Sequence, residues 1–214
     1  AFILQAYGER IATRSGYYDS YHSVHDKTIT RATFAHNSIT IDGGIGQPSQ
    51  TDDFTAKGDI TEFLTQMSFD SATGDATPAY KGALDKYVRH FIYIRPGVFV
   101  VIDDLDAKGD GKSNFEWWLN AEHTIDYTHK SAVINENGAC LTANVVYPTN
   151  TRARYYDGFY SPYTDSYFPN DYFPAAAGYV GANEQRRVCF YTPEVKETKM
   201  IVTMSVHKED ELAE

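Results

Sequence analysis

Cysteine is nearly missing from this sequence: Cys140 and Cys189 are the only two in 214 residues. Two isolated thiols make neither a zinc cluster nor a redox motif. Their apolar, strand-like neighbours, Ala139-Cys140-Leu141 and Val188-Cys189-Phe190, mark them as small buried hydrophobes, with a disulfide between them left open. Long hydrophobic runs are missing as well. No apolar stretch approaches the roughly 20 residues that cross a bilayer, so no membrane span is expected. The first residues also lack the charged start and apolar core of a leader peptide. Positive charge is in short supply, with 19 Lys and Arg against 29 Asp and Glu and a net charge of −10. That balance excludes nucleic acid as a partner, because phosphates are met with Lys and Arg. Long helical periodicity and internal repeats are also absent.

What remains is strand signal. Ser38-Ile39-Thr40-Ile41-Asp42 alternates with period two and ends in Gly43-Gly44. Ile60 to Leu64 and Gln66 to Phe69 carry the β-branched and aromatic mix of sheets. His90 to Ile94, then Arg95-Pro96-Gly97, then Val98 to Asp104 reads as a hairpin, with Pro-Gly at the centre of a type II turn. Its second arm is apolar on both faces and belongs in the middle of a sheet. Further strands are expected near 115–119, 132–134, 139–147, 187–191 and 200–207, and a short helix over Tyr80 to Tyr87. Many short strands separated by turn signals predict an all-β fold, a large antiparallel two-sheet β-sandwich with at most short helices. A chain of this length buries roughly 70% of its unfolded surface without metal or disulfide. One domain over residues 1–214 is expected, and its opening, Ala1 to Glu9, begins in mid-strand, as if cut from a longer chain.

Two segments depart from this rhythm. Residues 155–173 hold nine aromatics in 19 positions, interleaved with Gly158, Pro162, Pro169 and aspartates. They read as a long extended loop that either stacks on sugar rings or packs onto the sandwich. Residues 1–36 carry a net charge of +1 and contain His22, His25 and His36, whereas residues 37–214 carry −11. A basic, histidine-rich patch on an acidic protein draws an anionic ligand or simply forms a solvated face.

These residues carry a resemblance. Phe2-Ile3-Leu4, Gly8-Glu9, Ser15-Gly16-Tyr17-Tyr18-Asp19, Thr30-Arg31-Ala32-Thr33 and Ala35-His36-Asn37-Ser38-Ile39, closing on Asp42-Gly43 and Gln47, are similar to the C-terminal domain of the heparinase II/III-like polysaccharide lyases. The stretch from Arg89-His90-Phe91 to Asp103-Asp104-Leu105 fits the same pattern. The resemblance implies an N-terminal helical toroid as partner domain, with a cleft between toroid and sandwich. It implies β-elimination beside a uronic acid, in glycans of the heparin, heparan sulfate or alginate type, by a bacterial protein in the periplasm or secreted. Most catalytic groups of such enzymes lie on the toroid, so the sandwich is expected to be inactive alone. Elimination needs the carboxylate neutralised, a base for the C5 proton and an acid for the leaving oxygen.

By the same resemblance, Tyr21 or Tyr18 takes part in proton transfer, with Tyr21 slightly favoured. Arg31, His22, His25 and Arg14 grip the acidic oligosaccharide or polysaccharide, Arg31 with its planar fork. A structural zinc is implied at His36, but the aspartate ligand's position is Arg14, which cannot ligate a cation, so Asp19 or a water substitutes or the metal is absent. For His36 itself, a structural hydrogen-bonded role, metal ligation and direct catalysis remain open, as do two readings without chemistry: a carbohydrate-binding sandwich and one that braces another domain.

Overall fold

The computed structural model describes residues 1–14, 20–48, 56–170 and 184–211. Its strands are β1 (Leu4–Ala6), β2 (Glu9–Ala12), β3 (Ile39–Ile41), β4 (Asp59–Thr65), β5 (Phe69–Asp75), β6 (Leu84–Ile94), β7 (Val98–Ala107) and β8 (Phe115–Ala121). They continue with β9 (Ile125–Tyr127), β10 (Ser131–Glu136), β11 (Ala139–Tyr147), β12 (Arg152–Asp157), β13 (Phe159–Ser161), β14 (Ser166–Phe168), β15 (Arg186–Tyr191) and β16 (Glu197–Lys208). One sheet has eight strands in the order β4-β5-β6-β7-β16-β11-β10-β9, and a second has four in the order β12-β15-β8-β3. Every pairing is antiparallel, and the expected two-sheet sandwich is the fold. Among the described residues, helix is confined to short turns at Asp26–Thr30, Thr33–His36 and Thr77–Tyr80.

Strand β8, Phe-Glu-Trp-Trp-Leu-Asn-Ala, is buried at every position, and period-two alternation explains how. Phe115, Trp117 and Leu119 point into the inter-sheet core with Val188, Phe190, Leu141 and Val202. The intervening Trp118 points the other way and joins Cys189, Ile29, Phe34, Ala35 and Phe159 in a second apolar cluster. Each such large side chain taken from water contributes about 1.5–3 kcal/mol. The small sheet is therefore covered on its outer face as well, by residues 20–36 and the β13–β14 hairpin. Both cysteines are free and buried.

Several expectations shift in detail. Gln66–Ser68 is the turn of the β4–β5 hairpin, and the strand begins only at Phe69. The short helix over Tyr80 to Tyr87 is a single turn ending at Tyr80, because Lys81 and Gly82 both adopt positive φ and release the chain into β6. The Arg95–Pro96 bond is cis and Gly97 has no positive φ, so the turn is not type II. Gly97 is needed for closeness, since a Cβ there would lie 2.8 Å from the Val206 carbonyl oxygen. Residues 155–170 do not form an extended loop: they finish β12 and then fold into the β13–β14 hairpin. The remainder of that segment lies outside the described residues.

The two sheets are unequal, so among the described residues β4 has no layer over it and is exposed along its whole length, with Ile60 and Phe63 open to solvent and Met67 at the hairpin tip 98% exposed. Among the described residues, no helix is long and apolar enough to cross a membrane.

Candidate functional site

The residues between β2 and β3 form the site region, and one buried carboxylate organises them. Asp26, 2% exposed, accepts the backbone N–H of His22 at 2.8 Å and Nη2 of Arg31 at 2.7 Å, both on Oδ2. Its own N–H donates to Ser23 Oγ at 2.9 Å. Arg31 also lies over the Tyr21 ring, 4.8 Å from its centroid, and the rings of Tyr21 and His22 are 4.1 Å apart. The hydrogen bond to Asp26, more than any other contact, raises the pKa of Arg31. Tyr21, His22 and Arg31 thus form one group around Asp26, with Tyr21 67% exposed.

His36 lies one turn further on. Its Nε2 is 2.9 Å from the Thr30 carbonyl oxygen. A carbonyl only accepts, so Nε2 carries the proton and Nδ1 keeps its lone pair. Burial, the largest influence, and the positive charge of Arg14 pull its pKa below the ordinary 6.5, against the opposing pull of the Thr30 carbonyl. The imidazole is neutral at pH 7. Arg14 and His36 make a second group, joined to the first through the turn at Thr30 and Arg31.

His25 stands apart from both. Its side chain is wholly buried, edge-on to Phe159 at 4.9 Å and to Phe168 at 5.0 Å, beneath the β13–β14 hairpin. A ring sealed in this way packs the outer face of the small sheet and does not present itself to a ligand, contrary to the substrate-gripping role expected of it. Tyr18 and Asp19 lie outside the described residues. Of the zinc ligands implied by the resemblance, Asp19 lies outside the described residues, and His36 donates Nε2–H to the Thr30 carbonyl and keeps the Nδ1 lone pair. Among the described residues, no three His, Cys, Asp or Glu side chains converge on a metal position.

The residue after His36 holds the region in place, and its role was not read from the sequence. Asn37 takes the left-handed conformation, φ 51°. Its Nδ2 donates to the carbonyls of Phe2 at 2.9 Å and Thr13 at 2.8 Å, and its Oδ1 accepts the backbone N–H of Asn120 at 2.7 Å. The only sequence signal for this role is Asn itself, which tolerates αL better than other non-glycine residues. Asp26 was legible only as an acid four residues after His22 and five before Arg31.

Two cavities open near this region. One, of about 490 Å³, lies between the N-terminal residues, β5 and Arg89. The other, of about 510 Å³, lies between the Asp26–Thr30 turn and the tip of the β13–β14 hairpin. Among the described residues, none of the site residues read from the sequence lines either one.

In structure the chain is similar to heparan sulfate lyase HepC of Pedobacter heparinus, with a TM-score of 0.69 for the mutant and 15% identity over 97% of this chain. It is also similar to a heparinase III with methylated lysines, TM-score 0.68 and 12% identity over 98% of this chain. It spans only 30% and 29% of those two proteins. At these identities the likeness establishes the fold alone. No curated protein sequence matches it. Residues 1–167 match the family described as heparinase II/III-like, C-terminal, and the chain belongs to that family.

Proposed function

We propose that this chain is the sandwich portion of a polysaccharide lyase that works against a helical toroid of the same protein, in the periplasm or secreted. Its substrate is a uronic-acid-containing glycan of the heparan sulfate or alginate type, cleaved by β-elimination. The base removes the C5 proton, the electron pair forms the C4–C5 double bond, the C4–O bond breaks, and an acid protonates the departing oxygen. The observation that carries this reading is the Asp26 hub. It holds the Arg31 cation and the His22 backbone, and through them the exposed Tyr21 phenol and the His22 imidazole lie side by side on a segment that matches a lyase family.

In this arrangement Arg31, oriented by Asp26, and Arg14 meet the uronate carboxylate, His22 adds a hydrogen-bonding group, and the Tyr21 hydroxyl handles a proton. A guanidinium fork suits a carboxylate geometrically, and its charge offsets the negative charge that grows as C5 loses its proton. Neutral His36 braces the turn through Thr30 and offers Nδ1 as an acceptor.

The test is the ultraviolet absorbance of the unsaturated product, with heparan sulfate and alginate as substrates. A protein carrying this chain behind a helical toroid is expected to release it, and the 214 residues alone are not. Tyr21→Phe and Arg31→Ala in the joined protein should each lower turnover at least about 100-fold, in the range of a lost acid–base group. Full activity in both variants would remove this group from the chemistry.

A further inference from the structure

Arg187 is a buried cation that the arrangement above does not use. Its side chain is wholly enclosed on β15, between Tyr156 of β12 and Asn120 of β8 in the strand register. Burial pulls its pKa down only to about 9, so it is charged at pH 7. A guanidinium brings five N–H donors. Nη2 reaches the Gly158 carbonyl at a long 3.3 Å, whereas Nε and Nη1 find no acceptor and no carboxylate faces the charge among the described residues. Buried charges are ordinarily paired, and the residues described around this one do not pair it.

Above it lies the β13–β14 hairpin, which belongs to neither large sheet. Side-chain hydrogen bonds tie the hairpin to itself, Tyr160 to Asp165 at 2.8 Å and Thr164 to Ser166 at 3.1 Å. Two strands alone are marginal in water, so the hairpin depends on what it lies against. Phe159 and Phe168, opposite one another across it, anchor it in the outer apolar cluster with Trp118. The chain enters it through Gly158, at φ 91°, whose carbonyl is the Arg187 acceptor. Beneath the two phenyl rings, flat aromatic faces and the cation come together. Trp118 and Tyr156 are 5.6 Å apart, and Arg187 Cζ is 5.0 Å from the Phe34 centroid. Aromatic faces suit the apolar side of a pyranose, and a guanidinium suits the oxygens of a carboxylate or sulfate.

We propose that the β13–β14 hairpin is a hinged cover over a second glycan site, which opens at Gly158 so that Arg187 takes the carboxylate or sulfate of an acidic sugar lying on Trp118 and Tyr156. The covered form is the resting state, and the ligand binds the open one in the space that Phe159 and Phe168 vacate. The inference rests on the lyase reading for its ligand class, and on Arg187 and the hairpin alone for its location.

Amide hydrogen exchange of the chain, read by mass spectrometry with and without three tetrasaccharides, tests it: one from alginate (carboxylate only), one from heparin (carboxylate and sulfate) and neutral cellotetraose. One or both acidic ligands should speed exchange across residues 159–168, and cellotetraose should leave it unchanged. Which acidic ligand acts identifies the anionic group. Phe168→Ala loosens the cover and should tighten binding about tenfold, because affinity is reduced by the fraction of molecules that are closed. Arg187→Met should weaken binding at least about tenfold without lowering the melting temperature, and Arg187→Lys should regain part of the binding. A cation needed only for packing would give the reverse, a lower melting temperature and unaltered affinity. The proposal is overturned by unaltered affinity in Arg187→Met, by acidic ligands that slow exchange in 159–168 or leave it as it was, or by equal effects of cellotetraose. Should Phe168→Ala not fold, exchange in the unaltered chain decides. None of these readings depends on turnover. The cover can therefore fail while product release by the joined protein stands, and a joined protein that releases no product leaves an Arg187-dependent opening intact.

Discussion

Arg89 and Asp103 face each other across β6 and β7 through two parallel hydrogen bonds, Nε to Oδ1 at 2.6 Å and Nη2 to Oδ2 at 2.9 Å. The remaining arm, Nη1, donates to the carbonyl of Asn37 at 2.8 Å. A hairpin of the large sheet thereby grips the turn that follows His36. Replacing Asp103 with Ala leaves a buried guanidinium without its carboxylate, and should cost about 3–5 kcal/mol in urea unfolding. A loss below 1 kcal/mol would show the pair to be incidental.

Asn37→Ala should be nearly as damaging by a different route. Two carbonyls and one backbone N–H lose their partner at once, each worth about 1 kcal/mol or more when buried, and alanine tolerates φ 51° poorly. Asn37→Gly relieves the backbone but not the hydrogen bonds. It should therefore recover only part of the loss, which a pair of denaturation curves will show.

The depressed pKa of His36 has a definite sign in stability. The unfolded chain takes up the proton near pH 6.5 while the folded imidazole resists it, so the native state loses stability as pH falls below about 6.5. His36→Gln, which keeps a donor for the Thr30 carbonyl, should flatten the melting temperature between pH 7 and pH 5 relative to wild type. Parallel curves would contradict the assignment.

Arg187 is wholly buried on β15, and burial pulls its pKa down to about 9 from the usual 12.5. It lies over the Phe34 ring at 5.0 Å and donates one long hydrogen bond, 3.3 Å, to the Gly158 carbonyl, while Nε and Nη1 find no acceptor among the described residues. Burying a charge so sparsely satisfied is costly. Arg187→Met should hold or raise stability, by up to about 4 kcal/mol. A marked fall in melting temperature would reveal a partner for the cation.

The sequence made the sheets legible and the third layer illegible. In β7 and β16, runs rich in β-branched and other apolar residues (Val98 to Ile102, Met200 to Val206), bounded by turns, left little alternative to central strands. At β4–β5 the turn residues Gln66, Met67 and Ser68 include neither glycine nor proline, so no strong local signal located the reversal. Within residues 155–170, prolines and glycine suggested a loop, yet Phe159 to Ser161 and Ser166 to Phe168 pair because the turn between them docks on Gly44. That long-range contact is invisible to local pattern, and it is also what buries His25. The Tyr21, His22 and Arg31 group followed from resemblance, whereas its organiser, Asp26, is visible only once the backbone turns back on itself.

The bare β4–β5 hairpin has a practical consequence. Among the described residues, its outermost strand offers unpaired backbone groups beside Ile60 and Phe63, guarded by Glu62, Asp59 and the irregularity between Ile60 and Glu62. Anyone purifying these 214 residues in isolation will meet that margin first, as turbidity that grows with concentration and recedes when Phe63 is exchanged for lysine.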